Sequence, residues 1–249
     1  MSMVGIDDRG AVRHLVLERA EKRNAINAEM VGELGAAFRS AADDDSVRCI
    51  VIRGTGPVFS AGMDFATLAG LAAEPHRLHE FRAGVLSAWN LLEEMAKPTI
   101  AQIHGACLGG ALEMALACDM RVVAADAMLG LPETRFGLVP DVGGCSRLPA
   151  LVGVGRAKEL IMTSRTIDGT EAERIGLANR VAAADQLDEA TAALVAELEG
   201  CSAVAIGEAK RLLDAAAKPA LAQTLDLEVA AQERCVRSGV LAAATAGNG

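Results

Sequence analysis

Apolar positions along this 249-residue chain fall into two regimes. In the first, short near-continuous apolar runs bounded by charge or glycine, Ala11 to Arg19 and Val47 to Gly54, read as buried strands. Between them Met30, Val31, Leu34, Phe38 and Ala41 recur at helical spacing behind Asn27, a residue suited to cap a helix. The unit is therefore β-α-β. Pro98 to His104 and Met120 to Ala125 predict two further buried strands, separated by a helix that begins near Gly110 and runs through Met114 and Leu116. Such alternation predicts an α/β fold with partly parallel sheets. Beyond about Leu151 helical patterns dominate, at Gly155 to Ser164, Thr170 to Ala178, Leu187 to Leu198, Ala203 to Ala215 and Leu221 to Val240. Asp168 followed by Glu171 has the spacing of a helix cap and its partner. The closing Ala-Thr-Ala-Gly-Asn-Gly reads as a frayed end. A partly apolar helical C-terminal part either supplies subunit contacts or folds back on its own core, and the pattern leaves both open. No repeat of clear period is visible.

Composition narrows the class. Hydrophobic residues make up 51% of the chain, enough for a large core, yet no apolar run approaches the roughly 20 residues needed to cross a bilayer. Met1 to Gly10 is acidic and glycine-containing, not a basic segment leading into an apolar one, so neither a membrane anchor nor secretion is expected. With 24 Lys and Arg against 33 Asp and Glu, the net charge of −9 repels a phosphate backbone, and nucleic acid is not an expected partner. The local cluster Arg19, Lys22 and Arg23 still suits an anionic small molecule. Cys49, Cys107, Cys118, Cys145, Cys201 and Cys235 form no CxxC pair and lie mostly in apolar stretches, as free thiols of a reduced, cytoplasmic protein do. The histidines and cysteines show no metal-ligand spacing, so no metal is expected.

The candidate chemistry lies in two glycine-punctuated apolar segments, His104 to Asp119 and Gly130 to Pro149, each carrying one glutamate, Glu113 and Glu133. A carboxylate in such surroundings is costly unless it has work to do. Gly110 stands where a strand turns into a helix, so its N–H is a free helix-start donor, and Glu113 falls one turn further on the same face. A second donor is available at Met63, in the loop Val58 to Phe65, where Gly62 permits an unusual backbone angle. Two such N–H groups can hold the oxygen of a thioester as it becomes an enolate. Structural roles compete with each assignment. Glu113 can face solvent, Glu133 can pair with Arg135 or Arg147, and Asp141, a third carboxylate nearby, can cap the helix beginning near Gly144. His76 and His79 read as surface or packing residues, and Ala66 to Arg82 as the lining of a substrate pocket. Gly153-Val-Gly155 lacks the strand and glycine pattern of a dinucleotide loop.

The runs EKRNAINAEM (21–30), FSAGMDF (59–65), KPTIAQIHGACLGGALEMALACD (97–119) and LPETRFGLVPDVGGCSRLPALVG (131–153) closely resemble the crotonase family of enoyl-CoA hydratases and isomerases. The resemblance spans about Val12 to Leu213. It implies a spiral of ββα turns over residues 1–195, holding the acyl-CoA site. It also implies a C-terminal helical region over 196–249 for oligomer contacts, in a homotrimer or a dimer of trimers. By the same resemblance the N–H groups of Met63 and Gly110 form an oxyanion hole, and Glu113 and Glu133 match the two catalytic glutamates of hydratases. Lys22, Arg23, Ala25, Ala61, Asp64 and Phe65 match contacts to the pantetheine and adenine nucleotide of coenzyme A, which is part of the substrate, so no cofactor is implied.

The expected reaction is syn addition of water to a trans-2-enoyl-CoA, giving a 3-hydroxyacyl-CoA. Two departures from the family stand out. Asp141 occupies a position where many hydratases have glycine, a combination that resembles isomerases moving double bonds in enoyl-CoA or dienoyl-CoA with Glu133 and Asp141. After Arg237 the usual phenylalanine, lysine and arginine run gives way to Ser-Gly-Val-Leu-Ala-Ala-Ala-Thr-Ala-Gly, so the family's nucleotide contact through its tail is not carried over. A fold does not fix a function, and a non-catalytic acyl-CoA-binding or RNA-binding member is a third expectation; a single Trp89 and the absence of tyrosine leave few stacking groups for RNA.

Overall fold

A computed structural model of the chain describes residues 2–72, 74–237 and 240. The strands and helices follow in the order β1 (Val4–Arg9), β2 (Val12–Leu17), α1 (Ala28–Asp43), β3 (Cys49–Gly54), α2 (Phe65–Ala72), α3 (Pro75–Glu94), β4 (Thr99–Ile103), β5 (Ala106–Leu108), α4 (Gly110–Ala117), β6 (Met120–Ala124) and β7 (Met128–Gly130). They continue with α5 (Gly144–Val152), α6 (Val154–Thr163), β8 (Ile167–Asp168), α7 (Gly169–Arg174), β9 (Arg180–Ala182), α8 (Leu187–Glu199), α9 (Ala203–Ala217) and α10 (Leu221–Arg237).

Two sheets organise the chain. The larger has the order β1-β2-β3-β4-β6-β9, antiparallel at the β1 hairpin and parallel elsewhere; the smaller has the order β5-β7-β8. The smaller sheet is extended by single parallel bridges, Ser60 to Cys107 and Ile26 to Met63. Each long strand, β2, β3, β4 and β6, is thus followed by a short extended segment in the second layer, and the chain then turns helical. This is the spiral of ββα turns that the family resemblance implies. The turns repeat in space although the sequence shows no period, because what recurs is backbone pairing and not side-chain identity.

Sequence patterning located the buried elements well. All six residues of β2 are buried, Arg13 and His14 among its apolar residues, and the five apolar residues expected on α1 lie on its buried face. Asn27 caps α1 by accepting from Met30 N, and Asp168 caps α7 by accepting from Glu171 N. Glu171 does not return the bond; its carboxylate pairs with Arg165 at 2.8 Å and Arg174 at 3.1 Å. The helix expected over Thr170 to Ala178 stops at Arg174, and Gly176 (φ 83°) turns the chain toward β9. The helix expected over Leu221 to Val240 is described from Leu221 to Arg237 and is helical again at Val240, and the closing Ala-Thr-Ala-Gly-Asn-Gly lies outside the described residues. The boundary expected at 195/196 falls inside α8. Cys49, Cys107, Cys118, Cys145 and Cys201 are free thiols, with the first three buried. No single described helix is long and apolar enough to cross a membrane.

The core lies between the large sheet and the helices, with α1 packed on α3 through Phe38 and Trp89 edge to face, ring centroids 6.4 Å apart. Such a pair contributes about 0.5–1.5 kcal/mol beyond the area it buries. At the opposite end of the sheet the turn after β2 is locked to the turn after β3 by one buried side chain. Asn24, in the left-handed region at φ 52°, accepts from Arg19 N and donates through Nδ2 to the carbonyls of Thr55, Val58 and Phe59 at 2.8–3.1 Å. Asparagine tolerates that conformation and alanine does not do so readily. Asn24→Ala should therefore destabilise the protein by about 2–4 kcal/mol through unmet buried carbonyls and backbone strain. In urea melts this appears as a lower midpoint at unchanged slope; a midpoint within error of wild type would contradict it.

Candidate active site

The cleft is built first from backbone. Residues 60–63 run beside β5, with Ser60 N donating to Ala106 O and Leu108 N donating to Ser60 O. Ser60 Oγ accepts from Gly62 N and donates to Asn24 O, which bends the segment so that Gly62 sits at φ 95° against β5. A Cβ at Gly62 would stand 2.5 Å from Leu108 O, so only glycine permits the approach. Gly109, at φ 53°, then turns the chain out of β5 and α4 opens at Gly110. The N–H groups of Met63 and Gly110 donate to no acceptor among the described residues. They are the two free donors that the sequence marks.

Glu113 follows one turn along α4 and is 2% exposed, which rules out the solvent-facing alternative. Its Oε1 accepts from Val142 N at 2.9 Å and Gly144 N at 2.8 Å, leaving Oε2 free of protein donors among the described residues. Gly144 is tightly enclosed: a Cβ there would lie 2.4 Å from Pro140 Cβ and 3.0 Å from Glu113 Oε1. Glu133 opens a 3₁₀ turn, Glu133–Phe136, behind Pro132. Its Oε1 lies where a Cβ on Gly109 would be only 2.7 Å away, and its Oε2 is buried without a hydrogen-bond partner among the described residues. Neither expected ion pair forms. Arg147 is committed to Glu93 at 2.7 Å and to Asn90, and Arg135 is exposed with no ion pair among the described residues.

Asp141 does not cap α5, whose N-cap is Gly143 with no side-chain cap. It pairs instead with Arg82 of α3, Nε to Oδ2 at 2.8 Å, and Arg82 is only 4% exposed. Two further side chains reach this loop from α10. Glu228 accepts from Gly143 N at 2.9 Å and from Ser146 Oγ at 2.6 Å, and Gln232 Oε1 accepts from Val139 N at 3.0 Å. Sequence reasoning missed Arg82 as an ion-pair partner and missed Glu228 and Gln232 altogether. Charged and amide residues on amphipathic helices look like a solvated face unless the facing loop is known.

Burial raises the proton affinity of all three cleft carboxyls. Glu133 is pushed up to about 8 by desolvation, with the charge of Asp141 adding to it. Asp141 rises to about 7 for the same reason, against the opposing pull of Arg82. Glu113 is raised well above the usual carboxylate range by desolvation and then by the charges of Glu133, Asp141 and Glu228, while the Val142 N–H works the other way.

The three carboxyls and both free donors line one cavity, open to solvent, whose apolar wall includes Phe65, Leu68, Leu78, Phe81, Phe136 and Leu138. Phe65 and Phe136 close one side edge to face at 5.0 Å. The segment expected to line a pocket contributes Leu68, Leu78, Phe81 and Arg82, whereas His76 and His79 are exposed and not in this wall. Of the residues matched to coenzyme A contacts, Ala61 and Phe65 lie in the cavity wall. Ala61 N donates to Arg23 O, which ties the cavity to the Lys22–Ala25 segment, where Lys22 and Arg23 are exposed. Arg19 is not available to a ligand as a free cation: it pairs with Asp64 at 2.7 Å, and Asp64 also caps α2 through Ala66 N and Thr67 N.

Comparison with known proteins identifies the family and the fold. Residues 7–240 match the family model described as enoyl-CoA hydratase/isomerase. The chain is 38% identical over 213 residues to a probable mitochondrial enoyl-CoA hydratase 2 of Arabidopsis thaliana, covering 85% of this chain and 70% of that protein. It is 40% identical over 174 residues to a crotonyl-CoA hydratase of Syntrophomonas wolfei, covering 70% and 66%. Among solved structures, an enoyl-CoA hydratase/isomerase from Mycobacterium paratuberculosis superposes with a TM-score of 0.92 at 25% identity, over 98% of both chains.

The raised carboxyl affinities have a consequence for stability. A group that binds its proton more tightly when folded stabilises the fold fully below its unfolded value near 4.3, and that contribution is lost as pH rises through its folded value. For Glu133 the loss runs from about pH 4 to about pH 8. Glu133→Gln should therefore raise Tm over wild type clearly at pH 9 and little at pH 5, each 1 kcal/mol being worth about 2–4 °C in a chain of this size. Thermal melts at the two pH values check it; a gain no larger at pH 9 than at pH 5 would contradict the assignment.

Proposed function

The chain belongs to the enoyl-CoA hydratase/isomerase family, and from that premise we propose that its cleft adds water across the double bond of a trans-2-enoyl-CoA to give a 3-hydroxyacyl-CoA. The observation that carries this reading is the placement of Glu113 and Glu133 in one cavity with two uncommitted backbone donors. The thioester oxygen takes the N–H groups of Met63 and Gly110, which offset the negative charge it gains as an enolate forms; losing one such donor costs on the order of 10²–10³-fold in rate.

The charge of Glu133 raises the proton affinity of Glu113, so the two titrate as a pair, and one proton is held between them. Glu133, with a buried oxygen lacking any donor among the described residues, is the member that holds the proton; Glu113, with two N–H groups on Oε1, is the member stabilised as the anion. Glu113 Oε2 removes a proton from water as its oxygen bonds to C3, and Glu133 gives its proton to C2 as the enolate collapses. One bond to oxygen and one to hydrogen form, the C2–C3 π bond is consumed, and a proton passes from Glu113 back to Glu133 to close the cycle. Coenzyme A enters as part of the substrate: Lys22, Arg23, Ala25, Ala61, Asp64 and Phe65 are assigned to its pantetheine and nucleotide. Exposed Val204, Leu212, Leu213 and Leu227 on α9 and α10 support assembly of the chain as a homotrimer or a dimer of trimers.

The ion-paired Asp141 in the same wall favours a second reading, in which Glu133 and Asp141 move a proton along the acyl chain and shift a double bond. The two readings separate in one set of assays. Glu113→Gln and Glu133→Gln should each lower kcat for crotonyl-CoA hydration by about 10²–10⁴-fold with the fold retained. Wild-type turnover in both variants would remove these residues from the mechanism. Asp141→Asn should leave hydration within about tenfold of wild type, a loss smaller than a full acid/base role. Conversion of a 3-enoyl-CoA or dienoyl-CoA by the wild type, abolished by Asp141→Asn, would instead establish the isomerase.

A further inference from the structure

The loop from Leu138 to Gly144 carries Asp141 and both N–H donors to Glu113, yet it has no regular structure of its own. Buried side chains from elsewhere hold it. Arg147 Nη1 donates to Val142 O at 3.0 Å, and Arg82 reaches Asp141 from α3. The remaining two ties come from α10: Gln232 takes Val139 N, and Glu228, 5% exposed, takes Gly143 N and Ser146 Oγ. Gly143 lies between the two residues whose N–H groups bind Glu113. Its φ of 115° sends its N–H to Glu228 while Val142 N and Gly144 N both face Glu113 Oε1. Three successive backbone donors are thus divided between two carboxylates, one on α4 and one on α10.

We propose that Glu228 is a positioning residue for the reaction: by fixing Gly143 N and Ser146 Oγ from the C-terminal helix, it holds the backbone donors that aim Glu113 at the substrate. The inference rests on the hydratase reading for its kinetic arm but not for its structural one. Glu228 touches no reacting atom. It acts through the loop, and a shift of about 1 Å in a reacting group is enough to cost on the order of 10²-fold. The geometry also makes the C-terminal helix part of the catalytic apparatus, since α10 contacts α5 through this carboxylate and the site contacts α5 through Glu113.

The test compares Glu228→Gln, Glu228→Ala and Leu225→Ala in the full-length protein. Glutamine keeps an oxygen for Gly143 N and an amide that can donate to Ser146 Oγ, whereas alanine removes both ties. Leu225→Ala trims α10 at a buried apolar side chain, which forms no hydrogen bond to the loop. Hydrogen–deuterium exchange of the peptide covering 138–147 should speed up in Glu228→Ala and stay near wild type in Glu228→Gln and Leu225→Ala. With crotonyl-CoA, Glu228→Ala should lose about 10–100-fold in kcat with KM within about threefold, the pattern of a lost transition-state interaction, and Glu228→Gln should restore most of kcat. The proposal is overturned if Glu228→Ala leaves exchange in the loop unchanged, if glutamine fails to rescue kcat, or if Leu225→Ala gives the same kcat loss at an equal fall in Tm. Should the wild type hydrate no enoyl-CoA, the functional reading fails, and exchange in the loop still decides the role of Glu228.

Discussion

A carboxylate leaves water only when other donors take over its solvation, and the arrangement of this molecule turns on how that is done for Glu113. Its Oε1 receives two backbone N–H groups from a loop more than two dozen residues further along the chain. Backbone donors cannot be moved one at a time, so the loop has to adopt a single path, and the surrounding structure supplies the restraints. Arg82 and Arg147 reach it from α3 and α5, Glu228 and Gln232 from α10. Glycines stand where backbone comes closest to the carboxylates, Gly109 against Glu133 and Gly144 against Glu113. The glycine-rich character of these segments is thus the cost of crowding backbone around buried charge.

Much of the fold was legible because apolar periodicity and backbone burial are coupled. β2, β3, β4 and β6 are nearly continuous apolar runs because both faces are covered, and α1 carries its core stripe at helical spacing. The opening hairpin strand β1 escaped notice because it lies at an edge and exposes charged residues, Asp8 and Arg9. β5, β7, β8 and β9 are two or three residues long, too short for any pattern to repeat. In the site, Glu113 and Glu133 were conspicuous as charges in apolar surroundings. Arg82, Glu228 and Gln232 were not, since each stands on a helix with many other polar residues and is buried only through a tertiary neighbour. The expected partner of Glu133 was misread for the same reason: Arg147 is close in sequence, but Glu93 on α3 claims it.

The helical C-terminal part is joined to the spiral by charge as well as by apolar contact. Lys210 of α9 is buried, donates to the carbonyls of Leu92 and Lys97, and pairs with Asp119 at 2.9 Å. Lys218 pairs with Glu93, the same carboxylate that holds Arg147. Buried ion pairs add little net stability over apolar contacts of similar shape, but breaking one partner is costly, so they favour one docking geometry over near alternatives. Because Arg147 also holds Val142 O, this network continues without interruption into the loop that serves Glu113.

Met63 and Gly110 belong to adjacent turns of the spiral and are set side by side by the pairing of residues 60–63 with β5. Their placement follows from the register of that pairing and from Ser60 Oγ, which bends the segment at Gly62. On the proposed reading, the polarising half of the site is therefore backbone, and the side chains it depends on are few: Ser60, which bends the segment, and the glycines that permit the close approach. The proton-handling half is three replaceable carboxyls on a loop and two helix or turn starts. On the proposed reading, a single substitution among the carboxyls can change which atom of an acyl chain is protonated while the backbone donors stay where the ladder puts them.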